Sequence, residues 1–323
     1  MLSRVADGCL WMSRYLERAE HTSRLLAVRL EAMVQQGEQE SADAWRRLML
    51  ALGGEEGVEH YTDARAATEF LAFDPENRSS LLSSIQSARE NARQIREQIS
   101  SEMWERLNRE YLRQQTLVFD EIWDAQPVPF FRGVIDAIHL FKGVTNATMR
   151  HGEAWHFIDL GRHLERALLV ARLLEVYFAP QGSGADLQPP KYFDWINLLK
   201  QCTAFEAYCK VHTAAIEPAR IAEFLVFDPE FPHSIRFAVD KVQAALSEIA
   251  QGAPQTRRAA CARLAGRLKA MVDYGQADEI FGDGMAGEGI GAFLGSVVRQ
   301  CGEIHEAVGV AFITYGVDDV MAR

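Results

Sequence analysis

Long apolar runs are missing from this chain. The longest uncharged stretches, such as 307–317, fall far short of the ~18 residues that suggest a membrane span. The opening MLSRVADGCLWMSRYLERAE has neither an apolar h-region nor a small-residue cleavage site, so it does not read as a secretion signal. Basic charge is in deficit. The formal net charge of −11 disfavours nonspecific binding to nucleic acid or to an anionic membrane, although a local basic stripe can still hold a small anion. Cysteine is sparse and odd in number: five residues, none in a CxxC. Cys202 and Cys209 are spaced to share a helix face, but two thiols do not complete a zinc site. Reduced core cysteines in a cytoplasmic protein are the plainer reading.

Alternating strand patterns are also missing, as are GxSxG, P-loop, HExxH and Cys–His nucleophile arrangements. What remains is an ordinary globular balance, 48% hydrophobic and 24% charged. The 323 residues suffice for one large domain or two smaller ones.

What is present is helical periodicity nearly everywhere. A first helix is predicted from Ser3 or Asp7 to Gln36, with Leu16, Ala19, Leu26 and Leu30 on its apolar face. A second surrounds Trp45 and Leu48, and a third carries Ala67, Phe70 and Leu71. Asp74-Pro75 reads as the cap and first turn of the next helix, followed by a long polar helix over about 80–100 containing SARENARQIRE. Trp104, Leu107, Tyr111, Leu112 and Phe119 continue helically, Pro127 and Pro129 break the chain, and two further helices cover about 130–150 and 154–178. Residues 180–190 read as a linker. The class is all-α, a helical bundle of eleven or twelve helices.

One stretch returns. Residues 13–26, SRYLERAEHTSRLL, and 161–174, GRHLERALLVARLL, agree at eight of fourteen positions at an offset of 148. The shared positions include Arg14/Arg162, Glu17/Glu165, Arg18/Arg166 and Arg24/Arg172. Trp45-x-x-Leu48 is echoed by Trp195-x-x-Leu198 at 150, and FLAFDPE (70–76) by FLVFDPE (224–230) at 154. Three echoes in one order indicate two tandem, pseudo-symmetric repeats, 1–149 and 150–323, packed as one all-α unit.

The shared charges admit two readings. Around Glu165 and Arg166 the neighbours are apolar, so the Glu-Arg pairs are at least partly buried and need partners. The plainer reading is a structural ion network of Glu17, Arg18, Glu90, Arg162, Glu165 and Arg166 that pins the two repeats. The other is a site in the first repeat. There Glu17 or His21 would be a general base. Arg14, Arg18, Arg89, Asn91, Arg93 and Arg96 would bind substrate or an anion. Arg89, Arg93 and Arg96 are spaced i, i+4, i+7 as one basic stripe, which either pairs with Glu17 and Glu20 or binds an anion. Two further signals are weak. GDGMAG (282–287) matches GxGxxG literally but lacks the strand and βαβ context of a dinucleotide site. His156, Asp159 and His163, with His151 and Glu153 upstream, share a face that could ligate a metal, but a polar helix face is the plainer reading, and no metal is expected.

MLSRVADGCLWMSRYLERAE, SARENARQIRE and MRHGEAWHFIDLGRHLERA (149–167) together resemble the bacterial Alpha-E family, over essentially the whole chain. The family's ER positions fall on Glu17-Arg18 and Glu165-Arg166, and its ARENAR run on 88–93. The resemblance implies a setting beside a circularly permuted ATP-grasp ligase, often with a transglutaminase-like protein and in some bacteria the proteasome-related peptidase Anbu. It implies a part in ATP-dependent amide or peptide bond formation. The leading expectation is a non-catalytic helical partner of the ligase, with no intrinsic cofactor, since ATP and magnesium would belong to the ligase. A substrate-binding or catalytic subunit and a homodimeric scaffold are the alternatives.

Overall fold

The structure, a computed structural model, describes residues 2–36, 41–53, 63–178, 187–213, 215–251, 255–275 and 288–313. Among these residues it is entirely helical, with fourteen α-helices and a closing π-helical turn, Gly309–Ile313. The first half contains α1 (Ser3–Gln36), α2 (Ser41–Ala51), α3 (Ala64–Ala72), α4 (Leu81–Gln94), α5 (Ser101–Gln114), α6 (Phe119–Ala125) and α7 (Pro127–Thr148). The second contains α8 (Glu153–Phe178), α9 (Tyr192–Gln201), α10 (Phe205–His212), α11 (Pro218–Phe227), α12 (Ile235–Ala250), α13 (Gln255–Asp273) and α14 (Glu288–Val308).

Local chemistry sets the helix boundaries. Ser80, Ser100 and Ser234 cap α4, α5 and α12 by accepting from the backbone N–H three residues on, and Asp63 does the same for α3. Pro127 and Pro218 occupy the first turns of α7 and α11, where a missing N–H costs nothing. Pro127 therefore starts a helix rather than breaking the chain. Asp74 and Asp228 are not the N-caps of α4 and α12. Each accepts the N–H two residues on, at 2.8 Å, and so folds an Asx turn, while the serine six residues later caps the helix. The predicted long polar helix stops at Gln94, and Arg96 lies beyond it. The linker 180–190 and the GDGMAG segment lie wholly or largely outside the described residues.

The helices are arranged around α1 and α8, which pack along each other at the centre. α4 and α7 lie on α1, and α12 and α14 lie on α8. α5 packs on α4 and α7, and α13 on α12 and α14. The short second helices cross over: α2 packs on α8, and α9 packs on α1. α8 is buried on nearly every side, from Phe157 to Phe178. A helix apolar all round belongs in a core, which is why charges at its middle demand partners.

Gly161 allows the central pair to approach closely. A Cβ there would lie 2.2 Å from the Ser13 hydroxyl and 2.4 Å from the Leu10 carbonyl oxygen. Any side chain would force the two axes apart at this crossing.

Candidate functional site

The ER residues meet at the α1–α8 interface. On α1, Arg14, Glu17, Arg18 and His21 follow i, i+3, i+4, i+7, so one face carries all four. The two helices exchange partners. Arg18 donates from Nε and Nη2 to one oxygen of Glu165, at 2.9 and 2.8 Å, and Arg14 Nε donates to the other at 2.7 Å. In return, Arg166 donates to both oxygens of Glu17, at 2.5 and 3.1 Å. Arg162 takes no part in the exchange and stays within its own helix, 3.8 Å from Asp159.

α7 supplies groups that the sequence reading missed. Lys142 bridges Glu17, at 2.5 Å, and Glu20. His139, one turn away, lies 3.1 Å from Glu20, which also accepts from Arg24 at 2.6 Å. A signal was present: His139 and Lys142 are an i, i+3 polar pair inside a predominantly apolar helix. His233 also sits in the field of Arg166, Arg24, Glu20 and Glu17.

Three carboxylates thus face five cations in a desolvated space. Burial on its own would raise the Glu17 pKa. Arg166 and Lys142 override it and hold the carboxyl far below its usual range, against the opposition of Glu20. Glu165 is lowered likewise: burial opposes, and Arg14 and Arg18 prevail. Burial, aided by Arg24, depresses His21 to about 3 despite the neighbouring carboxylates, so its imidazole is neutral at pH 7. The His21 Nε2 is buried and has no hydrogen-bond partner among the described residues. Glu17 and His21 are 2% and 3% exposed, so the two general-base candidates lie inside the protein. A carboxylate saturated by two cations is a weak base.

The ARENAR run lies elsewhere. Glu90 pairs with Arg89 and with Arg93, the latter at 2.9 Å, and not with the ER residues. Arg89 donates to Asn108 at 3.2 Å and stacks over Tyr111 and Trp104, and Arg96 also stacks over Trp104. Asn91 bonds back to the Ser87 carbonyl. Neither Arg89 nor Arg93 pairs with Glu17 or Glu20; α7 supplies those partners instead. The basic stripe is therefore an α4–α5 surface cluster. The predicted grouping of Arg89 and Arg93 with Arg14, Glu17, Arg18 and His21, and of Glu90 with the ER network, does not form.

The sequence matches a family model over residues 1–313, described as a predicted alpha-helical domain with a conserved ER motif. The chain belongs to the Alpha-E family. Among curated proteins, this Alpha-E chain is similar to Uncharacterized protein Rv2567 of Mycobacterium tuberculosis and Uncharacterized protein Mb2597 of Mycobacterium bovis. Each is 24% identical over 274 residues, covering 76% of this chain and 30% of the relative. The chain thus spans under a third of the length of the curated relatives it matches. No solved structure matches it.

The other candidate chemistry of the Alpha-E chain is quiet. Among the described residues, no group of three or more His, Cys, Asp or Glu is arranged to hold a metal. His163 Nδ1 contacts the Asp159 carbonyl of its own helix at 2.9 Å, and His151 and His156 pack on Trp155. Cys9, Cys202 and Cys301 are buried and free, and burial pushes each thiol up to about 12. Such thiols are poor nucleophiles. Among the described residues, no helix is long and apolar enough to cross a membrane.

Proposed function

We propose that this Alpha-E chain is a non-catalytic, cytoplasmic helical partner of an ATP-grasp-type ligase in ATP-dependent amide or peptide bond formation, with the ER residues as its internal pin. The observation that carries this reading is the saturation of Glu17 and Glu165. Both ER glutamates are buried and clamped by cations, in the geometry of a packing device rather than of an exposed acid or base. The mycobacterial relatives support a partner role, because the matching region is a minor part of each longer chain. ATP and magnesium would then be held by the ligase. A pull-down with the ATP-grasp protein, followed by ligase turnover with and without this chain, is the test. We expect co-elution and a changed rate; separate elution with an unchanged rate refutes the partnership.

We further infer that residues 1–149 and 150–323 are tandem, pseudo-symmetric repeats. Supporting this are the reciprocal Arg18–Glu165 and Arg166–Glu17 pairs, the matched serine caps at 80 and 234, and the matched Asx turns at 74 and 228. Gly53 and Thr203, 150 apart, both take positive φ, +87° and +53°. Ser13 and Gly161, equivalent at offset 148, touch each other where α1 crosses α8, as residues beside a pseudo-two-fold axis would.

A further inference from the structure

On one side of the exchange the arginines reach a backbone carbonyl as well as a carboxylate. Arg166 Nη1 donates to the Pro232 carbonyl at 3.0 Å, and Arg24 Nε to the Gln201 carbonyl at 2.7 Å. Their counterparts at an offset of 148 are Arg18 and Arg172. Among the described residues, Arg18 hydrogen-bonds only to Glu165. Arg172 makes no hydrogen bond or ion pair there, and feels Glu175, on the next turn, only through space.

Arg18 and Arg172 both line a cavity of about 100 Å³. Thr22 also lines it. That residue is 2% exposed. Ser79 adds a second hydroxyl, its own backbone N–H being taken by Asn77 at 2.9 Å. Leu52, Leu71 and Leu169 form an aliphatic wall, and Glu165, its charge already matched by Arg14 and Arg18, also borders the cavity. The equivalent positions across the exchange carry Val170, Phe231 and His233 in place of Thr22, Asn77 and Ser79. The hydroxyl lining is thus particular to one side.

We propose that this cavity binds a small carboxylate, with its carboxyl group on Arg172 and Arg18 and its short aliphatic body against the leucines. The free planar fork of Arg172 matches a carboxylate with two parallel hydrogen bonds. The neighbouring network already has more cations than carboxylates, and Arg172 adds another, so an incoming anion relieves repulsion. The cavity is well below the several hundred Å³ of sites for drug-sized ligands, and is too small for a nucleotide. The aliphatic wall favours an alkyl carboxylate over phosphate, which offers nothing to cover the leucines. This inference does not rest on the ligase partnership, and its test uses the chain alone.

The probe is sodium butyrate, titrated into the full chain at ionic strength fixed with sodium chloride, and followed by calorimetry and thermal melting. We expect a saturable signal. It should weaken at least tenfold in Arg172→Gln and severalfold in Thr22→Val, a change that installs the residue found at position 170. Should Arg172→Gln fail to fold, Thr22→Val and Arg172→Lys carry the comparison. Sodium phosphate is run in parallel: saturation by phosphate but not butyrate overturns the carboxylate assignment. No saturable butyrate signal, or equal affinity in the parent and the cavity variants, overturns the site.

Discussion

Arg18 of α1 closes on Glu165 of α8 with two hydrogen bonds, and 148 residues further along, Arg166 closes on Glu17 in the opposite direction. Each helix gives an arginine and receives one. Slippage or rotation of α1 along α8 would break both pairs at once and strand four charges in the core. That is a strong register constraint, and it makes specific predictions.

Glu165→Gln leaves Arg14 and Arg18 without their carboxylate. Removing one partner of a buried ion pair costs about 3–5 kcal/mol, because the remaining charge is desolvated and unmatched. Denaturant unfolding should show a loss of that size. A loss under about 1 kcal/mol would mean that water reaches the pair.

Lys142 screens two glutamates from each other. Lys142→Met should raise the pKa of both Glu17 and Glu20, since each loses a cation while their mutual repulsion persists. The acid limb of unfolding should move to higher pH than in the parent chain. An unmoved limb would show that Arg166 and Arg24 suffice.

The pH dependence has a definite sign. Glu17 and Glu165 are held below their unfolded values, so their stabilisation is present above about pH 4.5 and is lost as pH falls further. His21, depressed to about 3, binds a proton in the unfolded chain near 6.5 but not in the folded one. Between those values the unfolded state holds more protons, so stability again falls with pH. His21→Leu, the residue at the matching position 169, should flatten the stability profile between pH 7 and 4 without abolishing folding. An unchanged slope would show that His163, His233 and His305, also depressed, dominate.

Two glycines separate packing from propensity. Gly143 faces open space in α7, so Gly143→Ala should stabilise by about 0.5–1 kcal/mol through helix propensity. Gly161→Ala gains the same propensity but drives a methyl into a backbone carbonyl, where overpacking costs about 1–3 kcal/mol or more. A net loss in thermal unfolding is expected; a net gain would mean that α1 and α8 are not held at this distance.

The all-α class and the bounds of α1 and α8 were legible, because a 3.6-residue period over more than twenty residues overwhelms local noise. The burial of Glu165 and Arg166 was legible from the leucines flanking them. Asp74-Pro75 misled, because an Asx turn and a helix cap use the same residues, and only the position of Ser80 decides between them. Helix number was undercounted where short helices such as α6 and α10 carry too few turns to declare a period. The ARENAR stripe could not be placed, since i, i+4 spacing says that residues share a face but not which neighbour that face meets. Arg24, the i, i+4 partner of Glu20, was legible, but the partners His139 and Lys142 depended on which side α7 takes against α1, a long-range fact that no local pattern encodes. The asymmetry between Arg166, which reaches a backbone carbonyl beyond its glutamate, and Arg18, which bonds to its glutamate alone among the described residues, rests on one carbonyl, that of Pro232, and has no sequence signature.

The central claim is that the ER glutamates hold the fold together and do no chemistry. Glu17→Gln tests it most directly, with unfolding free energy and the effect on ligase turnover measured on one preparation. The account predicts a stability loss of about 3–5 kcal/mol and a ligase effect per folded molecule equal to that of the parent chain. Unchanged stability with the ligase effect abolished would contradict it.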